Sequence, residues 1–225
     1  MNFDSFVLTA STADLADEPD ARDHADAVEY RMDLADDPLA ALAEYDGDLS
    51  ILVTNRADWE GGEAADTPAR LDALCSAVEN EAVEAVDVEL QTLDDGDGQR
   101  VVEHAHDNGA SVVVSTHDFE VTPDRETLED WLSRASSVGD VGKVAVTAHS
   151  PDDVLDLLAA TRSRTVAGET VATMAMGEAG RHSRAVAPLY GSRIGYAPVD
   201  PADATAPGQY DLATLSDLVA KLEGR

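Results

Sequence analysis

Eight short apolar runs punctuate the chain: Phe6–Thr9, Ala27–Met32, Ser50–Thr54, Ala85–Leu90, Ser111–Thr116, Lys143–Ala148, Val171–Met176 and Ser192–Ala197. Several are nearly continuous Val, Ile and Ala, as in parallel strands covered by helices. The segments between them carry apolar residues at helical spacing, most clearly Asp211–Leu222, where Leu212, Leu215, Leu218, Val219 and Leu222 recur. Thr67-Pro68, Thr122-Pro123 and Ser150-Pro151 each predict a helix start, with a hydroxyl at the N-cap and a proline at the first helical position. Asp152 and Asp153 then fall in a first turn, where negative charge is favoured. Alternation of strand and helix predicts βαβ units, and eight of them predict a closed (β/α)8 TIM barrel. No G-x-G-x-x-G follows the first strand, which argues against an open dinucleotide-binding sheet. Trp59–Asp66 and Asp94–Asp97 read as loops, and residues 1–225 read as a single barrel domain without repeats or linkers.

Composition adds the environment. The chain has 225 residues, 44% of them hydrophobic, enough for one barrel core. Acidic residues outnumber basic ones 46 to 15, a formal net charge of −31. Such a charge repels nucleic-acid phosphate and anionic membrane surfaces, so neither partner is expected. Of the cations, only Lys143 and Lys221 are lysines. This is the surface of a protein kept soluble in concentrated salt, where self-repulsion is screened. Cys75, the only cysteine, permits no intrachain disulfide and no Cys-based zinc site; in the helical run Leu71–Val78 it reads as a small core residue. No apolar run is long enough to span a bilayer, and Met1–Thr9 lacks a basic region followed by an apolar stretch, so a cytoplasmic location is expected.

Against that background, polar residues in or just after apolar strands carry the chemistry. In Lys143-Val-Ala-Val-Thr-Ala148, read as a strand that Lys143 opens, Lys143, Ala145 and Thr147 share one face and the valines the other. Burial of a lysine favours the neutral amine, which attacks carbonyls, whereas a lysine at a strand entrance would leave its ammonium in water. Arginine forms no imine, so a lysine kept in a chain that has discarded nearly all its lysines points to function. His117, ending the fifth run, is placed for general acid–base work, the alternative being a local bond to backbone. Glu29, Arg31 and Asp33 alternate along a strand expected to be buried, where charges persist only when paired or liganded, and Arg31 would be free to hold substrate oxygens. Arg56 and Glu60 follow the third run, Arg184 the seventh, and Thr205 and Gln209 the eighth, all at the end where barrels bind ligands. Taken singly, each of the two arginines could be an ordinary surface charge. His104 and His106 lie two apart on a helix and diverge, so no metal site is expected there; His24, His149 and His182 read as surface or local residues.

Taken together, these segments resemble the type I 3-dehydroquinate dehydratase family. The shared motifs run in order from Thr9 to Gln209: E-x-R-x-D at Glu29–Asp33, R-x3-E-G-G at Arg56–Gly62, D-x-E-L at Asp87–Leu90, S-x-H-D-F at Ser115–Phe119, K-V-A-V at Lys143–Val146, M-G-x-x-G-x-x-S-R at Met176–Arg184 and A-P-G-Q at Ala206–Gln209. The resemblance implies syn-dehydration of 3-dehydroquinate to 3-dehydroshikimate in the shikimate route to aromatic amino acids. It implies that Lys143 forms an imine with the ring ketone, that His117 removes the adjacent proton, and that Glu60 orients His117. Arg184 would grip the carboxylate, while Glu29, Arg31, Arg56, Thr205, Gln209 and Thr9 would bind hydroxyls and carboxylate oxygens. No cofactor and no metal are implied, and a homodimer is. Thr9 and Thr205 stand where the family often has serine, and the short N-terminus leaves little chain to cover the barrel's bottom. Two other classes compete: another Schiff-base barrel lyase or aldolase, and a non-catalytic carboxylate-binding barrel.

Overall fold

A computed structural model describes residues 1–200, 202 and 208–224. Eight parallel strands form a barrel: β1 (Val7–Thr12), β2 (Ala27–Arg31), β3 (Ser50–Thr54), β4 (Val83–Glu89), β5 (Ser111–Asp118), β6 (Val141–Thr147), β7 (Val171–Met176) and β8 (Ile194–Pro198). Each strand from β1 to β6 pairs with the next, and β8 pairs with β1. The seam between β7 and β8 is narrower than a ladder: the Arg193 amide donates to the Val171 carbonyl at 2.8 Å, and the Thr173 amide to Ser192 Oγ at 2.9 Å.

Period-two alternation splits each strand between two cores. One inward side chain per strand, Val7, Ala27, Leu52, Ala85, Val113, Val141, Ala172 and Ile194, fills the barrel's lower half. Outward valines such as Val144 and Val146 pack beneath helices Arg125–Val138 and Pro151–Val166. Where β4 pairs with Ile51 and Leu52 of β3, an irregularity leaves Glu84 unmatched, so Val83 faces the helices while Ala85 and Asp87 face inward. The barrel's bottom is covered after all. Phe3 packs into the inner cluster with Met1 against it, the Met1 ammonium donates to the Glu84 carbonyl at 2.9 Å, and Ser111 Oγ donates to the Met1 carbonyl at 2.8 Å.

Some expected boundaries move. Lys143 does not open its strand but is third in β6, and this places it deeper in the barrel. β2 ends at Arg31, so Asp33 lies in a short turn, and Leu90 begins a helix rather than ending β4. Ser150 is the N-cap expected, and with Asp153 it forms a capping box. Thr67 makes no side-chain cap bond, and Asp124 rather than Thr122 caps Arg125–Val138, accepting the Thr127 amide at 2.9 Å. Thr122 Oγ1 instead donates to the Thr147 carbonyl at 2.9 Å, tying the loop to the end of β6. Cys75 is half-buried against the outer core. Among the described residues no helix is long and apolar enough to cross a membrane.

Candidate active site

Above the apolar lower half, the inward positions turn polar. Lys143 on β6 stands beside Ser115 on β5, and His117 is one inward position higher, beside Ala145. Lys143 is 3% exposed; its Nζ donates to Asp87 Oδ2 at 3.0 Å and lies 4.2 Å from the centre of the Tyr196 ring. Arg56 arrives from the end of β3 and donates to Asp87 Oδ1 at 2.7 Å and to Ser115 Oγ at 2.7 Å, with Glu89 Oε1 at 3.2 Å. Burial by itself would raise the Asp87 pKa. The Arg56 and Lys143 cations and the Ser115 hydroxyl overcome it and hold Asp87 well below the usual carboxylate range. Asp87 is thus a fixed anion locating both cations.

Opposite these groups, His117 Nδ1 and Glu60 Oε1 are 2.6 Å apart, and the imidazole stacks on Phe119 with a ring separation of 5.8 Å. Burial and the Arg56 and Lys143 charges hold the imidazole well below its ordinary pKa, so it is neutral near pH 7. Burial raises Glu60 to about 8, against the pull of Arg56 3.8 Å away. Burial favours the uncharged form of both groups, and the two share one proton that the pair gives up near pH 8. Above it, Nδ1–H donates to ionised Glu60 and the Nε2 lone pair is open to the pocket. Gly61, with φ of 78°, lies where a Cβ would come within 2.5 Å of the Phe119 ring, so the Glu60 and His117 loops pack without space for a side chain.

A third feature is a charge without a partner. Arg184, in helix Ser183–Tyr190, is 5% exposed and lines the pocket; its side chain makes no hydrogen bond or ion pair among the described residues, its Nε being buried and unmatched. Desolvation lowers it to about 10, so it remains a cation near neutral pH. An unpaired buried guanidinium is costly unless an anion completes it. Glu29 accepts from Ser11 Oγ at 2.5 Å and Thr54 Oγ1 at 3.0 Å, and it lines the same pocket with Arg31 and Gln209.

Comparison with known proteins settles the family. The family model for type I 3-dehydroquinase matches residues 6–224. The chain belongs to that family. It is accordingly an enzyme, a hydro-lyase. It is 67% identical to a 3-dehydroquinate dehydratase of Haloarcula marismortui, over 99% of both chains. The crystal structure of 3-dehydroquinate dehydratase from Geobacillus kaustophilus superposes with a TM-score of 0.87 at 28% identity, covering 98% of this chain and 92% of that one. That of the type I enzyme from Clostridium difficile, with covalent modified comenic acid, gives 0.86 at 26%, covering 98% and 93%.

Within this family member, the sequence-predicted residues are largely brought together. Lys143, His117, Glu60, Glu29, Arg31, Arg56, Arg184 and Gln209 all line one pocket. Thr9 does not: it is fully buried, its Oγ1 donates to the Gly195 carbonyl at 2.9 Å, and Ser11, the next inward position, lines the pocket instead. Arg31 is not free either, since Nε and Nη2 engage Asp33 at 2.9 and 2.7 Å. Arg56 spends its donors on Asp87 and Ser115. Thr205 lies outside the described residues. His104 and His106 make separate surface contacts with Glu79 and Asp140, and His149 bonds the Glu120 carbonyl. Sequence reasoning missed Asp87, Ser115, Ser11 and Tyr196. Asp87 and Ser115 stand in the D-x-E-L and S-x-H-D-F motifs at inward parity, a signal that could have found them.

Proposed function

We propose that this enzyme dehydrates 3-dehydroquinate to 3-dehydroshikimate through an imine on Lys143. The observation that carries the reading is a buried primary amine facing a part-buried His–Glu pair across a pocket that also holds a guanidinium unpaired among the described residues. The Lys143 ammonium gives up a proton and adds as the amine to the ring ketone; the ketone oxygen leaves as water carrying that proton and one more from the nitrogen, which gives a protonated imine. That cation draws electrons from the neighbouring carbon, and His117 Nε2 removes a proton there, leaving an enamine. The enamine electrons then expel the hydroxyl from the next carbon, which leaves as water with the proton His117 took. Hydrolysis returns the ketone and the free amine. The net change is loss of one water, with the electrons redistributed within the substrate.

The remaining residues divide between grip and field. Arg184 pairs with the substrate carboxylate, and Glu29, the third Arg31 nitrogen and Gln209 bind hydroxyls. Arg56, already occupied, acts through its charge on Asp87 and Glu60. The base form of His117 requires ionised Glu60, so kcat/KM rises with pH through a midpoint near 8. The test is turnover in molar salt, followed by the absorbance of the conjugated ketone product. Purified protein that binds 3-dehydroquinate without forming this chromophore would refute the reading.

A further inference from the structure

Behind the pocket lies a clamp that the reaction does not use. Arg70, in the first turn of helix Pro68–Ala77, is 3% exposed but contributes nothing to the pocket wall. Its Nη1 donates to Glu89 Oε2 at 2.8 Å and to the Asn55 carbonyl at 3.2 Å; its Nη2 donates to Thr92 Oγ1 at 3.1 Å and to Asp66 at 3.4 Å. Asn55 Nδ2 donates back to the Arg70 carbonyl at 3.1 Å. The other oxygen of Glu89 accepts the Ala57 amide at 3.1 Å and stands 3.2 Å from Arg56 Nη1. Residues 55, 56 and 57, where the chain leaves β3, are thus each held, and Glu60 follows three residues on.

We propose that Arg70 is a positioning residue: by fixing Glu89 and the Asn55 carbonyl it sets the loop that delivers Arg56 and Glu60 to the pocket, and it offsets the Glu89 charge felt there. The role rests on the dehydration reading. Burying two full charges gives little net stability, so geometry and field are what the Arg70–Glu89 pair supplies. Glu60 faces Arg56 and Lys143 as cations and Glu89 and Asp87 as anions, and His117 faces Arg56, Lys143 and Arg31 as cations and Asp87 as an anion. Removing the Arg70 charge leaves Glu89 offset by Arg56 alone. The potential at Glu60 becomes more negative, its proton is held more tightly, and the midpoint of the His117–Glu60 pair moves to higher pH.

The experiment compares the full chain with Arg70→Met, Arg70→Lys and Glu89→Gln in molar salt. Two readouts are taken: the pH profile of kcat/KM, and the NMR titration of the His117 ring in substrate-free protein. The His117 signal, one of six histidines, is assigned by its loss in His117→Gln. Arg70→Met is expected to raise the midpoint by about half a unit or more in both readouts and to lower kcat roughly tenfold. Arg70→Lys keeps the charge and should restore the midpoint while leaving kcat intermediate. Glu89→Gln should move the midpoint down, and decides the question should Arg70→Met fail to fold. Midpoints unchanged in every variant, with only the melting temperature lowered, would overturn the proposal. The NMR arm needs no turnover, so an inactive wild type would sink the dehydration reading and leave Arg70 to be judged on the ring titration.

Discussion

At the scale of single residues, the site is built from opposed needs. Arg184 is buried with no side-chain partner among the described residues, a cost to the folded protein that a bound carboxylate would offset. Arg184→Met is therefore expected to raise the melting temperature of the substrate-free protein while raising KM by about 10- to 100-fold. An unchanged KM would remove Arg184 from substrate binding. The His117–Glu60 pair gives a second test. Glu60→Gln deletes the carboxyl held at about 8, leaving an imidazole kept well below its ordinary pKa by burial and nearby cations. Loss of activity on acidification is then expected to begin at lower pH than in the wild type, with kcat reduced. A profile still bending near 8 would assign that titration to another group.

At the scale of elements, strands place the chemistry and helix starts hold the strands. The Ser150–Asp153 box starts helix Pro151–Val166 just after β6, and neither residue lines the pocket. Ser150→Ala is expected to cost about 1 kcal/mol in chemical unfolding without changing kcat. Gly61→Ala should do the reverse, lowering kcat more than stability, because its Cβ meets Phe119 between the two catalytic loops. How far the sequence disclosed this level depends on what each signal measures. Strand parity gave Lys143 its face because alternation is a backbone property, yet its depth needed Val141 and Gly142 to be recognised as strand. The Thr122-Pro123 start failed because a nearer competitor, Asp124, took the cap while Thr122 bonded a distant carbonyl. Ser11 escaped as a site residue because its importance lies in a contact between strands, which no local pattern records; for Asp87 and Ser115 the motifs and parity gave the face but not the partners across the strands. Arg56 was legible as a pocket residue but not as an occupied one for the same reason, and Arg31 because the alternation assigns Asp33 to the strand rather than to the turn that brings it back onto the guanidinium.

At the scale of the molecule, a charge of −31 surrounds a barrel whose functional cations are sequestered inside. Salt that screens the acidic surface should leave buried pairs such as Lys143–Asp87 nearly untouched. The thermal unfolding midpoint is expected to rise from low to molar salt, and a midpoint independent of salt would contradict this account of the surface. All chemistry should be assayed under those conditions. The measurement closest to the central claim is borohydride reduction of the protein with 3-dehydroquinate in concentrated salt, followed by peptide mass mapping. A substrate-sized adduct on Lys143, absent from Lys143→Ala, is the predicted result. No adduct in protein that remains folded and turns the substrate over would contradict the imine on Lys143.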